Sequence, residues 1–232
     1  MLTSWWTKFK HYRFTDYDFS LVAMLVALSV FGVLAIGSVA PGEEEKQIRG
    51  LIISLVLMLV LSIMDYSVLL KLNWFCYIGA VGILALVRTS YGRSAYGARR
   101  WIRLFGILFQ PSELAKILLI LFFAQFIMKH RDRIRSLPFV LLCAALAAPP
   151  IYLTYKQPDL STTIVMGIII CVILFVAGID WKLVVTVLAV LVPSFILVIY
   201  RVLEGSSSLL TDYQQRRILA WLHPEDYAMS DA

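Results

Sequence analysis

Three groups of residues have the types and spacing to do chemistry. The first is the stretch RTSYGRSAYGARRWIRLFGILF, residues 88–109, where Arg99, Arg100 and Arg103 interleave with Trp101, Ile102, Leu104, Phe105 and Leu108. Guanidinium groups grip phosphate through paired N–H donors, so these arginines suit a diphosphate held at the level of lipid headgroups. The same mixture also suits plain interfacial anchoring, with aromatic bodies toward hydrocarbon and cations toward water. The second group is Glu113 and Lys116, three apart and therefore on one helix face. An ionisable side chain inside a bilayer costs about 2.5–3.5 kcal/mol on insertion scales. The two therefore either neutralise each other, or Lys116 faces a polar cavity and reaches a carboxylate from another span, Asp159 being the obvious one. The third group is an echo: Gln110-Pro111-Ser112-Glu113 and Gln157-Pro158-Asp159-Leu160 each open an apolar run. Proline at the first helical position with an acid in the first turn is a helix-start signal, so both also read as ordinary caps.

The elements that must position these residues are membrane-spanning helices. The chain has 232 residues, 60% of them hydrophobic and only 16% charged, and its mean hydropathy is +0.82. Soluble domains hold about 45–50% apolar and about 25% charged residues. Here the surplus falls in runs of roughly 17–23 residues, the length a helix needs to cross ~30 Å of hydrocarbon. The runs predict helices at about 18–38, 47–64, 67–87, 111–128, 137–153, 160–178 and 182–203. The fold class is therefore all-α, a polytopic transmembrane helix bundle with about seven spans. Residues 1–17 form a cytoplasmic N-terminus and 18–203 the bundle, with 88–109 as an interfacial outer loop. Residues 204–232 read as the start of a large extracytoplasmic loop that stops short, the chain being the front portion of a longer protein. A cleavable signal peptide is not expected, because the first run is long enough to span and no small-residue cleavage motif follows it.

Orientation follows from charge. Lys8, Lys10 and Arg13 precede the first span and Glu43, Glu44 and Glu45 follow it, which sets the N-terminus in the cytoplasm. Lys129, Arg131, Arg133 and Arg135 then fall inside as well. Arg88, Arg93, Arg99, Arg100 and Arg103 fall outside, against the rule that governs insertion, and an anion met on that side accounts for them. Cys76, Cys143 and Cys171 each sit within an apolar run, without CxxC or metal spacing, and read as small packing residues. No compact metal-ligand cluster is visible. The basic groups track membrane boundaries and form no single soluble face, so nucleic acid is not an expected partner. In the tail, 211–222 reads as a short amphipathic helix with Arg216 and Arg217, followed by the carboxylates Glu225, Asp226 and Asp231.

The combination resembles the RodA/FtsW/SpoVE group, the SEDS proteins. The matching segments are FTDYDFSLV before the first span, GARRWIRLFGILFQPSELAKI at 97–117, KQPDLSTTIV at 156–165 and YQQRRILAWLHPE at 213–225. The tail is most like RodA. The resemblance implies a bundle of about ten helices in the bacterial inner membrane that polymerises lipid II into glycan strands during cell-wall synthesis, shape determination or division. It implies a class B penicillin-binding protein as partner. Inversion at the donor sugar then calls for a carboxylate general base, with Asp226, Asp231 and Asp159 as candidates, and a divalent cation (Mg or Mn) could share the leaving-group role. Trp101 and Arg100 match the family's interfacial loop; Asp159 and Lys116 match its polar cavity. Where the family pattern sets an acid three residues past the loop proline, this sequence has Tyr227. A lipid-precursor flippase or transporter using the same headgroup site, and a non-catalytic scaffold of an envelope complex, remain the alternatives.

Overall fold

The computed structural model describes residues 18–64, 66–95, 98–104, 107–157, 159–182 and 184–186, with scattered positions from 189 to 220. Most of the seventh predicted span (182–203), most of the amphipathic tail helix (211–222), and Asp226 and Asp231 lie outside the described residues. The chain divides into two compact units, one ending at Met64 and the other beginning at Asp65.

The first unit is a helical hairpin of α1 (Phe19–Val39) and α2 (Glu44–Ile63). The Asp18 carboxylate starts α1 by accepting the Leu21 N–H at 3.1 Å. The Ser20 hydroxyl and that N–H hold the Asp18 carboxyl below its ordinary range. No residue of α1 is buried, and Phe19, Leu28, Phe31 and Leu34 stand exposed. A stripe of Val22, Val26, Ser29, Val33 and Ile36 is half-buried, and the remaining faces, apolar and exposed, have lipid, not water, as their solvent.

The second unit holds α3 (Tyr66–Lys71), α4 (Asn73–Leu86), β1 (Gly92–Ala95), β2 (Ala98–Leu104), β3 (Ile107–Phe109), α5 (Pro111–Lys129), α6 (Leu137–Tyr155) and α7 (Leu160–Val176). The third predicted span is thus two helices. The backbone leaves helical geometry at Leu72 (φ −92, ψ 25), whose carbonyl then opens α4 by accepting the Cys76 N–H at 3.0 Å. The stretch 88–109 is a three-stranded antiparallel sheet in the order β1-β2-β3. Past the start of β2, buried Ile102 is followed by exposed Arg103, the two-sided burial of a strand.

Helices α4, α5, α6 and α7 share one core. Cys76, Ala80 and Leu84 line up along α4, Phe139, Cys143 and Ala147 along α6, and Met166, Ile170 and Leu174 along α7, each at a four-residue step. They close on Ala115, Leu119, Phe122, Phe123 and Phe126 of α5. Ala80, Ala115 and Cys143 are fully buried, and such small residues are what let helices approach closely in lipid. Cys171, in contrast, is exposed.

Helix α6 runs unbroken through Pro149 and Pro150. Pro150 has no N–H to give the Leu146 carbonyl one turn earlier. The Tyr77 hydroxyl of α4 takes its place, donating to Leu146 O at 2.9 Å. Among the described residues, α1, α5 and α6 are long and apolar enough to cross a membrane, and α4 and α7 are shorter apolar helices. The fold is a polytopic transmembrane helix bundle with a small sheet between two of its spans.

Candidate functional site

The C-terminal end of α4, the sheet, the N-terminus of α5, the end of α6 and the N-terminus of α7 gather at one end of the second unit. Buried Gln157, between α6 and α7, ties this end together by donating from Nε2 to Leu84 O at 2.9 Å.

Asp159 is the centre of the arrangement. It is the N-cap of α7, and its Oδ1 accepts the Thr162 N–H at 3.2 Å. Its backbone carbonyl accepts the Thr163 hydroxyl at 2.7 Å. Its side chain is 3% exposed, and a carboxylate so buried needs partners for both oxygens. The second oxygen, Oδ2, accepts Gln110 Nε2 at 3.0 Å and faces Arg100 Nη1 at 3.7 Å. The two Gln-Pro segments therefore meet: an amide from the start of α5 touches the acid at the start of α7. They are not equivalent as caps. Pro111 is inside the first turn of α5 with Glu113, whereas Asp159 is itself the cap.

Arg100 reaches Asp159 from a bulge. Arg93 pairs with Trp101 and Ser94 with Arg99, so Arg100 is the extra residue of β2. Bulges re-aim side chains and recur beside functional sites. The Arg100 side chain is 12% exposed. Among the described residues its Nε has no hydrogen-bond partner, nor do Ser112 Oγ or Gln157 Oε1.

The neighbouring arginines differ from it. Arg99 donates from Nε to Gly92 O at 3.2 Å and from Nη2 to Thr89 O, so its donors are committed to the α4–β1 turn. That turn admits only glycine at 92, where a Cβ would lie 1.9 Å from Val87 O. Arg103 is exposed, opposite Leu108 in the sheet, and Trp101 is half-buried opposite Arg93.

Lys116 takes the first of its two predicted arrangements. Its Nζ donates to Glu113 Oε1 at 2.9 Å, and Arg100 is the cation beside Asp159. Among the described residues no three His, Cys, Asp or Glu side chains gather to hold a metal.

The sequence singled out Gln110 and Gln157 only as parts of the two helix-start segments and gave them no role, and it did not single out Thr162 or Gly92. The signal for Gln110 was present: an amide stands at a helix N-cap, where Ser, Thr, Asp or Asn is the usual choice.

Comparison with known proteins agrees with this architecture. The family model for FtsW, RodA and SpoVE, described as cell cycle protein, matches residues 15–232. The peptidoglycan glycosyltransferase MrdB of Escherichia coli K12 is 34% identical over 214 residues, covering 90% of this chain and 55% of MrdB. The probable peptidoglycan glycosyltransferase FtsW of Geobacter sulfurreducens is 29% identical over 225 residues, covering 90% of this chain and 57% of that protein. The crystal structure of the rod shape determining protein RodA of Thermus thermophilus superposes with a TM-score of 0.65 at 31% identity, covering 77% of this chain and 60% of RodA. A chain of a peptidoglycan synthase complex, solved for its coordination of polymerization and crosslinking, gives a TM-score of 0.71 at 30% identity, covering 92% of this chain and 61% of its own. The chain spans little more than half the length of the curated relatives it matches.

Proposed function

The chain belongs to the FtsW/RodA/SpoVE family, and from that premise we propose that the protein polymerises lipid II into glycan strands at the outer face of the bacterial inner membrane. The observation that carries this reading is the buried Arg100–Asp159 pair at the meeting of two helix N-termini. Relatives named peptidoglycan glycosyltransferases support it.

Lipid II carries its sugars on an undecaprenyl diphosphate. Arg100, with a buried N–H free of any partner among the described residues, supplies a charged donor for a diphosphate oxygen and offsets its charge as it leaves. Trp101 and Arg103 stand beside it in β2, and Glu113 lies in the first turn of the adjoining helix, paired with Lys116 one turn on. Arg99 keeps the loop in shape through Thr89 O and Gly92 O.

The donor sugar is inverted, so a carboxylate base takes the acceptor hydroxyl's proton. Both Asp159 oxygens already accept hydrogen bonds, which suits that group to standing beside Arg100 as a fixed counter-charge and leaves the proton to Asp226 or Asp231. Among the described residues no three His, Cys, Asp or Glu side chains cluster, so Mg or Mn would be held by one or two carboxylates together with the diphosphate oxygens. The N-terminus lies in the cytoplasm, and a class B penicillin-binding protein cross-links the product.

The test is polymerisation of lipid II by purified full-length protein. Arg100→Ala, Trp101→Ala and Asp159→Ala should each abolish glycan strands while the protein stays in the membrane. Undiminished product from Arg100→Ala and Asp159→Ala would end this account, and lipid translocation without polymer would favour a flippase.

A further inference from the structure

We propose that Gln110 is a positioning residue that holds Arg100 open for an anionic ligand by occupying the Asp159 oxygen Arg100 would otherwise bind; this rests on the diphosphate reading of Arg100 above. Gln110 is the N-cap of α5, yet its side chain makes no capping bond to its own helix. It crosses instead to the N-cap of α7, donating to Asp159 Oδ2 at 3.0 Å. The acid dictates the amide's orientation, because a carboxylate only accepts. Backbone geometry fixes the donor: Gln110 precedes Pro111, which disfavours the helical region, and its φ −98, ψ 105 is extended.

The distances show the consequence. Charge-assisted N–H···O bonds close to about 2.7–2.9 Å. Arg100 Nη1 stands off at 3.7 Å from the oxygen that Gln110 holds at 3.0 Å. The other oxygen is turned toward the Thr162 N–H at 3.2 Å. Two neutral donors thus satisfy the buried acid, and the guanidinium stays beside it as a charge without being consumed as a fork. Remove the amide and Oδ2 loses its hydrogen-bond donor, so Arg100, already 3.7 Å away, closes on it and is lost to a ligand.

The test is binding of undecaprenyl diphosphate, with undecaprenol as control, to purified full-length protein and its Gln110→Met variant. Methionine keeps the length of the side chain and removes the donor. The expected result is diphosphate binding weakened about tenfold or more, the worth of one charge-assisted hydrogen bond. Undecaprenol binding and thermal unfolding should be unchanged. Equal loss for both lipids, or a lowered unfolding temperature, would mean a merely structural role and overturn the proposal. So would diphosphate binding within twofold of wild type, or wild type that does not bind the diphosphate. Lipid II polymerisation is measured in parallel: wild type that binds diphosphate selectively yet makes no polymer sinks the polymerase reading and leaves the role of Gln110 standing.

Discussion

Replacing Asp159 by Asn and by Ala separates two things this carboxylate does. Asparagine caps a helix about as well as aspartate, so Asp159→Asn should keep the bond to the Thr162 N–H; it loses the charge facing Arg100 and turns an amide N–H toward Gln110, whose own amide must flip to accept it. At 3.7 Å and an effective dielectric near 20, that attraction is about 4 kcal/mol before costs are subtracted. The neutral side chain also no longer needs a buried charge to be desolvated, which returns part of it. A net loss of about 2–3 kcal/mol is therefore expected from Asn. Alanine adds the lost cap, about 1 kcal/mol more. Thermal unfolding of the detergent-purified full-length protein, followed with a thiol-reactive dye, measures the series. Cys76 and Cys143 are buried reporters, and exposed Cys171 is first replaced by serine to remove its background. The expected order of stability is wild type, then Asn, then Ala. If Asp159→Asn were as stable as wild type, the pair with Arg100 would contribute nothing and the electrostatic part of this reasoning would be refuted.

Other perturbations give equally direct expectations. Tyr77→Phe strands the Leu146 carbonyl that Pro150 cannot serve and should cost about 1–2 kcal/mol, read in the same unfolding assay. Gly92→Ala drives a Cβ to 1.9 Å from Val87 O and should lower both stability and polymerisation, since Arg99 is anchored on that turn. Lys116→Met removes a partner whose Glu113 side chain is 57% exposed, so stability should change by less than about 1 kcal/mol.

Much of the bundle is written plainly in the sequence, because length and apolarity alone decide whether a helix can cross lipid. The fourth, fifth and sixth predicted spans agree with α5, α6 and α7 to within about two residues at either end. The break at Leu72 was marked only by Lys71 and Asn73 on either side of it, an interruption too short to end a helix by itself and without proline or glycine. The sheet was hidden for a different reason: arginines and aromatics at a bilayer boundary suit an interfacial loop as well as a strand, and hydrogen-bond pairing is not a local property. Arg100 and Asp159 were legible as candidates from type and placement. Their pairing was not, because which cation meets the acid depends on a one-residue bulge in β2. The contact of Gln110 with Asp159 was not foreseen, because an uncharged amide carries no cost in a hydropathy argument.

The side of the membrane that the Arg100–Asp159 site faces decides whether it can meet a lipid diphosphate. Single cysteines at Arg93 and Arg131, both exposed and at opposite ends of the second unit, report it in a background lacking Cys171. With a membrane-impermeant maleimide applied to intact spheroplasts, the cysteine at 93 should be labelled at once and that at 131 only after permeabilisation. Labelling of 131 but not 93 in intact spheroplasts would put the site on the cytoplasmic face, away from the lipid diphosphate it is argued to hold.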